Sequence, residues 1–224
     1  MIQIETYLSA FTDALRCAFG RRLCYVGLQG SYLRGEATGQ SDIDVMVILD
    51  GLTAEDLERY RALVEQTAEP EKACGFICGR AELAHWNPLE ICHLLHTTRD
   101  CFGALQNFVP GYTRADVLDY IKLSLGNLYH GLCHTRIHAP ETALRQMLPE
   151  LYKPVFFILQ NLHFLRTGDF CGTKKELIAR LPEPDRAVLQ GSFDCRERDD
   201  WDTEEAFILL FGWCQCTLNH LTDD

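Results

Sequence analysis

The chain has no apolar run approaching the roughly 20 residues that span a bilayer; its longer ones, such as 155–159, are far shorter, which argues against a membrane-spanning helix. It has no basic stripe either. No Lys/Arg cluster exceeds two adjacent residues, and the net charge is −11. Acids outnumber bases throughout, 15 to 9 up to Pro110 and 17 to 12 beyond it. A protein that follows a nucleic-acid backbone needs clustered positive charge to displace counterions, so a long polynucleotide is disfavoured and a small, even cationic, partner is allowed. The start, MIQIETYLSAFTDAL, lacks the basic n-region and apolar h-region of a secretory leader. The expectation is a cytoplasmic protein. The eleven cysteines are odd in number and irregular in spacing; neither Cys74/Cys78 nor Cys214/Cys216 has a second pair at zinc spacing. They read as reduced thiols within apolar patterns.

What is present is an ordinary globular composition, 47% hydrophobic over 224 residues, enough for one large domain or two small ones. Ile4, Leu8, Phe11, Leu15 and Phe19 recur at steps of three or four, predicting an amphipathic helix over 3–19. Residues 23–29 predict a buried strand, broken at Gly30-Ser31, and 43–49 a second one. Thr53 followed by Ala-Glu-Asp predicts a helix N-cap, with the helix running to about residue 68. Residues 73–78 and 90–96 read as further strands. From Arg114 the period turns helical, through Ile121, Leu125, Leu128 and Leu132, then 144–165, 174–181 and 204–221. Pro154 predicts a new helix or a kink. The expected class is α+β: a mixed sheet flanked by helices over 1–110, followed by a helical bundle over 111–224.

Residues 30–49 read GSYLRGEATGQSDIDVMVIL and put two acids at the mouth of an apolar strand. Unpaired carboxylates there are costly unless a cation or donor meets them. Side chains alternate along a strand, so Asp42 and Asp44 share a face with Cα atoms roughly 6.6 to 6.8 Å apart. Ile43, Val45, Val47 and Leu49 take the other face. Two carboxylates so placed suit a hard cation such as Mg²⁺, whose shell is completed by phosphates and water. Upstream, Gly30 lets backbone amides approach an anion, Ser31 offers a hydroxyl, a helix begun over 32–36 would add free amides, and Arg34 adds positive charge. These are the parts of phosphoryl or nucleotidyl transfer: positioning and charge neutralisation.

The pattern G-S-x-x-R-G-x-x-x-x-x-S-D-I-D, formed by Gly30, Ser31, Arg34, Gly35, Ser41, Asp42 and Asp44, resembles the signature of the DNA polymerase β-like nucleotidyltransferase superfamily. The whole expected architecture is similar to that of the kanamycin and related aminoglycoside nucleotidyltransferases. The resemblance implies transfer of a nucleoside monophosphate from an NTP to a hydroxyl of a small molecule with release of pyrophosphate. It implies Mg²⁺ on Asp42 and Asp44, two ions with NTP bound, and nucleotide contacts from Gly30, Ser31, Arg34 and Ser41. A homodimer with shared sites is implied too. The family's third carboxylate comes from a neighbouring strand, yet 73–78 contains no acid. Glu90 is expected in that role because it opens the next strand candidate, with Glu82 and Asp100 as alternatives. The glutamate that serves the aminoglycoside enzymes as general base has no counterpart along IKLSLGNLYH; Asp116, Asp119 and Glu150 lie nearby and read equally as solvated helix acids. Two other readings stand beside this one: modification of a protein side chain, as in toxin-antitoxin nucleotidyltransferases, and a pocket that binds NTP without turnover.

Other features have plain explanations. His130, His134 and His138 lie at four-residue steps, but the outer two, about 12 Å apart along a straight helix, cannot close on one ion. They read as surface or cleft histidines. Phe156, Phe157, His163 and Phe164 fit core packing. Lys174 and Lys175 read as a solvated helix start, and the acids of 197–205 as favourable charge at a helix N-terminus.

Overall fold

The structure, a computed structural model, describes residues 2–221. The chain forms two compact units, Met1–Tyr112 and Thr113–Asp224. Among the described residues no helix is long and apolar enough to cross a membrane.

The first unit is built on a four-stranded mixed sheet. Its elements are α1 (Ile4–Phe19), β1 (Leu23–Leu28), α2 (Gly30–Arg34), β2 (Ile43–Leu49), α3 (Ala54–Val64), β3 (Ala73–Gly79), α4 (Arg80–Leu83), α5 (Pro88–His96) and β4 (Arg99–Phe102). The strand order is β3-β2-β1-β4. β1 pairs antiparallel with β2 and β4, and β2 pairs parallel with β3. The alternation of β2 decides the packing. Ile43, Val45, Val47 and Leu49 lie in one core with Tyr7, Leu8, Phe11, Leu15 and Phe19 of α1. Met46 and Ile48 lie in a second core with Tyr25, Cys78, Leu83 and Leu105. Each large apolar side chain so buried contributes about 1.5 to 3 kcal/mol, which holds the mouth of β2 in place.

The expected strand over 90–96 is a helix. Asn87 caps it by accepting the Leu89 N–H at 3.1 Å, and Pro88 occupies the first turn, where its missing donor costs nothing. The short apolar run of this segment fits either period, and the cap decides. The strand beside β1 is instead β4, whose four residues are largely exposed and become a strand only by pairing. At Thr53 the expected cap forms a full capping box with Asp56.

The second unit is all helix: α6 (Arg114–His138), α7 (Glu141–Leu151), α8 (Lys153–Thr167), α9 (Lys174–Arg180), α10 (Asp185–Glu197) and α11 (Thr203–His220). Pro154 starts α8, as its fixed φ and missing N–H favour, and α10 is an element that the apolar pattern does not announce. A buried acid ties three helices together: Asp185 accepts the Trp213 indole N–H at 2.8 Å and an Arg166 N–H at 2.6 Å. Tyr152 donates to the Ala206 carbonyl at 2.8 Å. Lys174 stands over the rings of Phe156 and Phe193.

Candidate active site

β1 and β2 bring the Gly-Ser bend and the acid pair to one point. Leu28 lies opposite Val45, so the chain leaving β1 passes the start of β2, and the Gln29 N–H donates to the Asp44 carbonyl at 2.9 Å. The turn into α2 begins at Gly30 with φ of +69°. A Cβ at that position would lie 1.9 Å from Asp44 Oδ2. The bend and the carboxylate can touch only because residue 30 is glycine. α2 spans Gly30–Arg34 rather than 32–36, because Gly35 turns left-handed and closes it.

Asp42 is exposed and Asp44 half-buried. Burial pushes the Asp44 carboxyl above its ordinary range; a hydrogen bond from the Cys74 thiol pulls it back, the neighbouring Asp42 charge raises it again, and the Arg34 charge lowers it. Cys74 is there because β3 runs parallel to β2 in a register that sets Cys74 level with Asp44. Burial, then the Asp44 charge, pushes the thiol up, so it stands beside the carboxylate as a neutral donor. Arg34 Nε donates to Glu36 at 2.9 Å, and both side chains are largely withdrawn from solvent. Its field also reaches His93 on α5: burial first, then Arg34 and His96, hold that imidazole down at about 4, neutral at pH 7.

The remaining expected residues are placed differently. Ser41 belongs to the loop that enters β2, its Oγ accepting the Thr38 N–H at 2.9 Å and its own N–H donating to the Thr38 carbonyl at 3.2 Å. Glu90 lies on α5 and accepts the Trp86 indole N–H at 2.5 Å; its expected strand position is corrected with the element. Asp100, level with Gly27 on β4, accepts the Tyr25 hydroxyl at 2.7 Å and the Leu105 N–H at 3.3 Å. Glu82 on α4 has a carboxylate oxygen 1.9 Å from where a Gly79 Cβ would stand. Among the described residues no three His, Cys, Asp or Glu side chains converge where they could hold a metal ion. Asp42 and Asp44 are therefore not joined by a third acid or histidine in a metal-holding group among the described residues, and Cys74 stands by Asp44 as a protonated donor. Cys74 and His93 were missed in the sequence. Cys74 becomes visible only once β3 is laid parallel to β2, and His93 once Asn87-Pro88 is read as a helix start.

A glycine-serine bend pressed against a strand-borne acid pair, on a mixed sheet flanked by helices and followed by a helical unit, is the architecture of a DNA polymerase β-like nucleotidyltransferase fold. Residues 25–75, from β1 into β3, match the family model described as nucleotidyltransferase domain. The chain thus carries a nucleotidyltransferase domain, the domain of a transferase enzyme. Among solved structures, one described as spectinomycin adenyltransferase AAD(9) from Enterococcus faecialis with ATP and spectinomycin is similar over 96% of this chain and 99% of that one, with a TM-score of 0.59 and 12% identity. At that identity the likeness carries the fold. No curated protein matches the chain.

Proposed function

We propose that this enzyme moves a nucleoside monophosphate from an NTP to a hydroxyl of a small molecule, with Mg²⁺ held by Asp42 and Asp44. The observation that carries the reading is the contact between the Asp44 carboxylate and the Gly30 bend, which joins a cation seat to a place where backbone amides can meet phosphate. The donor set fits the ion: two carboxylates, one of them half-buried with its pKa raised, offer hard oxygen ligands and gain from a cation. When bound, Mg²⁺ neutralises phosphate charge and orients the triphosphate. The chain's own groups do the rest. Gly30 and Ser31 hold phosphate oxygens, and Arg34, already engaged with Glu36, sets the local field. The acceptor hydroxyl oxygen bonds to the α-phosphorus, the bond from that phosphorus to the bridging oxygen breaks, the electron pair leaves with pyrophosphate, and the hydroxyl proton passes to solvent. The helical unit, 113–224, is assigned the acceptor. The fold is shared with the neighbour solved with ATP and spectinomycin, which supports an ATP-like donor and a small acceptor.

Isothermal titration with ATP, GTP, CTP and UTP in the presence of Mg²⁺ tests the donor site. Binding of at least one NTP, lost in D42N/D44N while circular dichroism is unchanged, is expected. No binding to any of the four overturns the reading. Labelled ATP in lysate tests the acceptor: label in a small product supports it, and label in a discrete protein band moves the acceptor to a protein side chain.

A further inference from the structure

The exposed face of α6 carries three histidines that the Asp42/Asp44 site does not use. α6 is continuous from Arg114 to His138, so His130, His134 and His138 lie on one face, each about 6 Å of rise from the next. All three are exposed. Their rings meet one another: the centroids of His134 and His138 are 4.7 Å apart and those of His130 and His134 are 6.1 Å apart. Beyond these ring contacts, none of the three has a hydrogen-bond or ion-pair partner among the described residues. Two imidazoles at i and i+4 on one helical face form the bidentate grip that helix-borne zinc sites use. An ion with bonds of about 2.0 to 2.1 Å to each nitrogen needs those nitrogens within about 4 Å of one another, and the 4.7 Å pair meets that by small ring rotations. Three histidines cannot converge on one ion, in keeping with the absence of any three-ligand group among the described residues.

We propose that His134, paired with His138 or alternatively with His130, chelates one borderline divalent transition-metal ion of the Zn²⁺, Co²⁺ and Ni²⁺ class on the exposed face of α6. Imidazole nitrogen selects these ions, whereas Mg²⁺ takes oxygen, so this site and the Asp42/Asp44 seat bind different metals. Two protein nitrogens leave the other coordination positions to water or to an added ligand. The site stands whether or not the chain transfers nucleotides.

The test is titration of the full, untagged chain with Co²⁺, followed by absorption. D42N/D44N serves as the background, so that the carboxylate seat does not compete. One ion per chain is expected, with ligand-field bands and no sulfur-to-metal charge-transfer band. H134A removes a ligand common to both pairs and weakens binding by at least about tenfold; H138A leaves the wider pair and weakens it less, and H130A least. Because the three side chains are exposed, these variants keep the fold, which circular dichroism verifies. The proposal is overturned if no ion binds, if H134A titrates like its parent, or if binding brings a thiolate band that C216S abolishes. Cys216 and His220 are another i, i+4 pair of possible ligands at a helix surface, with sulfur 3.7 Å from Nδ1.

Discussion

Two aspartates of the first unit, Asp44 and Asp56, stand in opposite electrostatic conditions. Asp56, buried at the start of α3, is met from every side: Arg22 forms an ion pair with it, and Thr53 donates through both N–H and hydroxyl at 2.9 Å. Those donors, Arg22 first, hold its carboxyl well below the usual range. Asp44, half-buried at the mouth of β2, has a neutral thiol as its donor, the field of an arginine that is paired with Glu36, and a like charge two residues away; its carboxyl is raised. One acid is satisfied within the fold and the other is kept partly unsatisfied. Carboxylates of the second kind are where an external cation has something to gain. In the helical unit Asp185, with its indole and guanidinium donors, belongs with Asp56.

The comparison can be broken at several points. The largest effect is expected from G30A. A methyl group 1.9 Å from Asp44 Oδ2, at a backbone angle that side chains rarely adopt, displaces the carboxylate or the bend. NTP affinity in Mg²⁺, read by titration calorimetry, should fall at least about tenfold; unchanged affinity would show that bend and acid are not one site. Next comes D185A, which strands the Trp213 N–H and the Arg166 guanidinium. Urea unfolding should show a loss of about 2 to 4 kcal/mol, with metal-dependent binding retained by the folded fraction.

D56N should lower the melting temperature at neutral pH by a smaller amount and flatten the acid limb of the stability curve. The folded carboxyl is depressed, so its contribution is complete above the ordinary aspartate value of about 3.9 and is lost as pH falls through the folded value. Smallest, and opposite in sign, is D44N in the metal-free protein. With a raised folded pKa, Asp44 contributes fully below the ordinary aspartate range, and that contribution is lost as pH rises through the raised value. Asn should therefore raise the melting temperature slightly at pH 7 and not at pH 3. If D44N and D56N both destabilise equally, the contrast between the two acids is wrong.

Much of the first unit could be read from local pattern. The alternation of 43–49, the helical steps of α1 and the Thr53 cap are all short-range signals, and each corresponds to an observed element. Glu90 shows where such signals fail. A short run such as ICHLLH is compatible with either period, and what marks it as a helix is the Asn87-Pro88 start just upstream. β4 was invisible because nothing in Arg99–Phe102 is strand-like until β1 lies beside it.

The site divides along the same line. Residue types and their spacing in the bend and along the strand after it were enough to single out Gly30, Asp42 and Asp44 as candidates, since a pleat of period two and a glycine bend are properties of neighbouring residues. That Cys74 rather than an acid stands level with Asp44, that Glu90 turns to Trp86, and that three histidines gather their rings on one helix face depended on register, on capping and on rotamer. Those are settled by packing between segments distant in the chain or by side-chain geometry, and no local pattern encodes them.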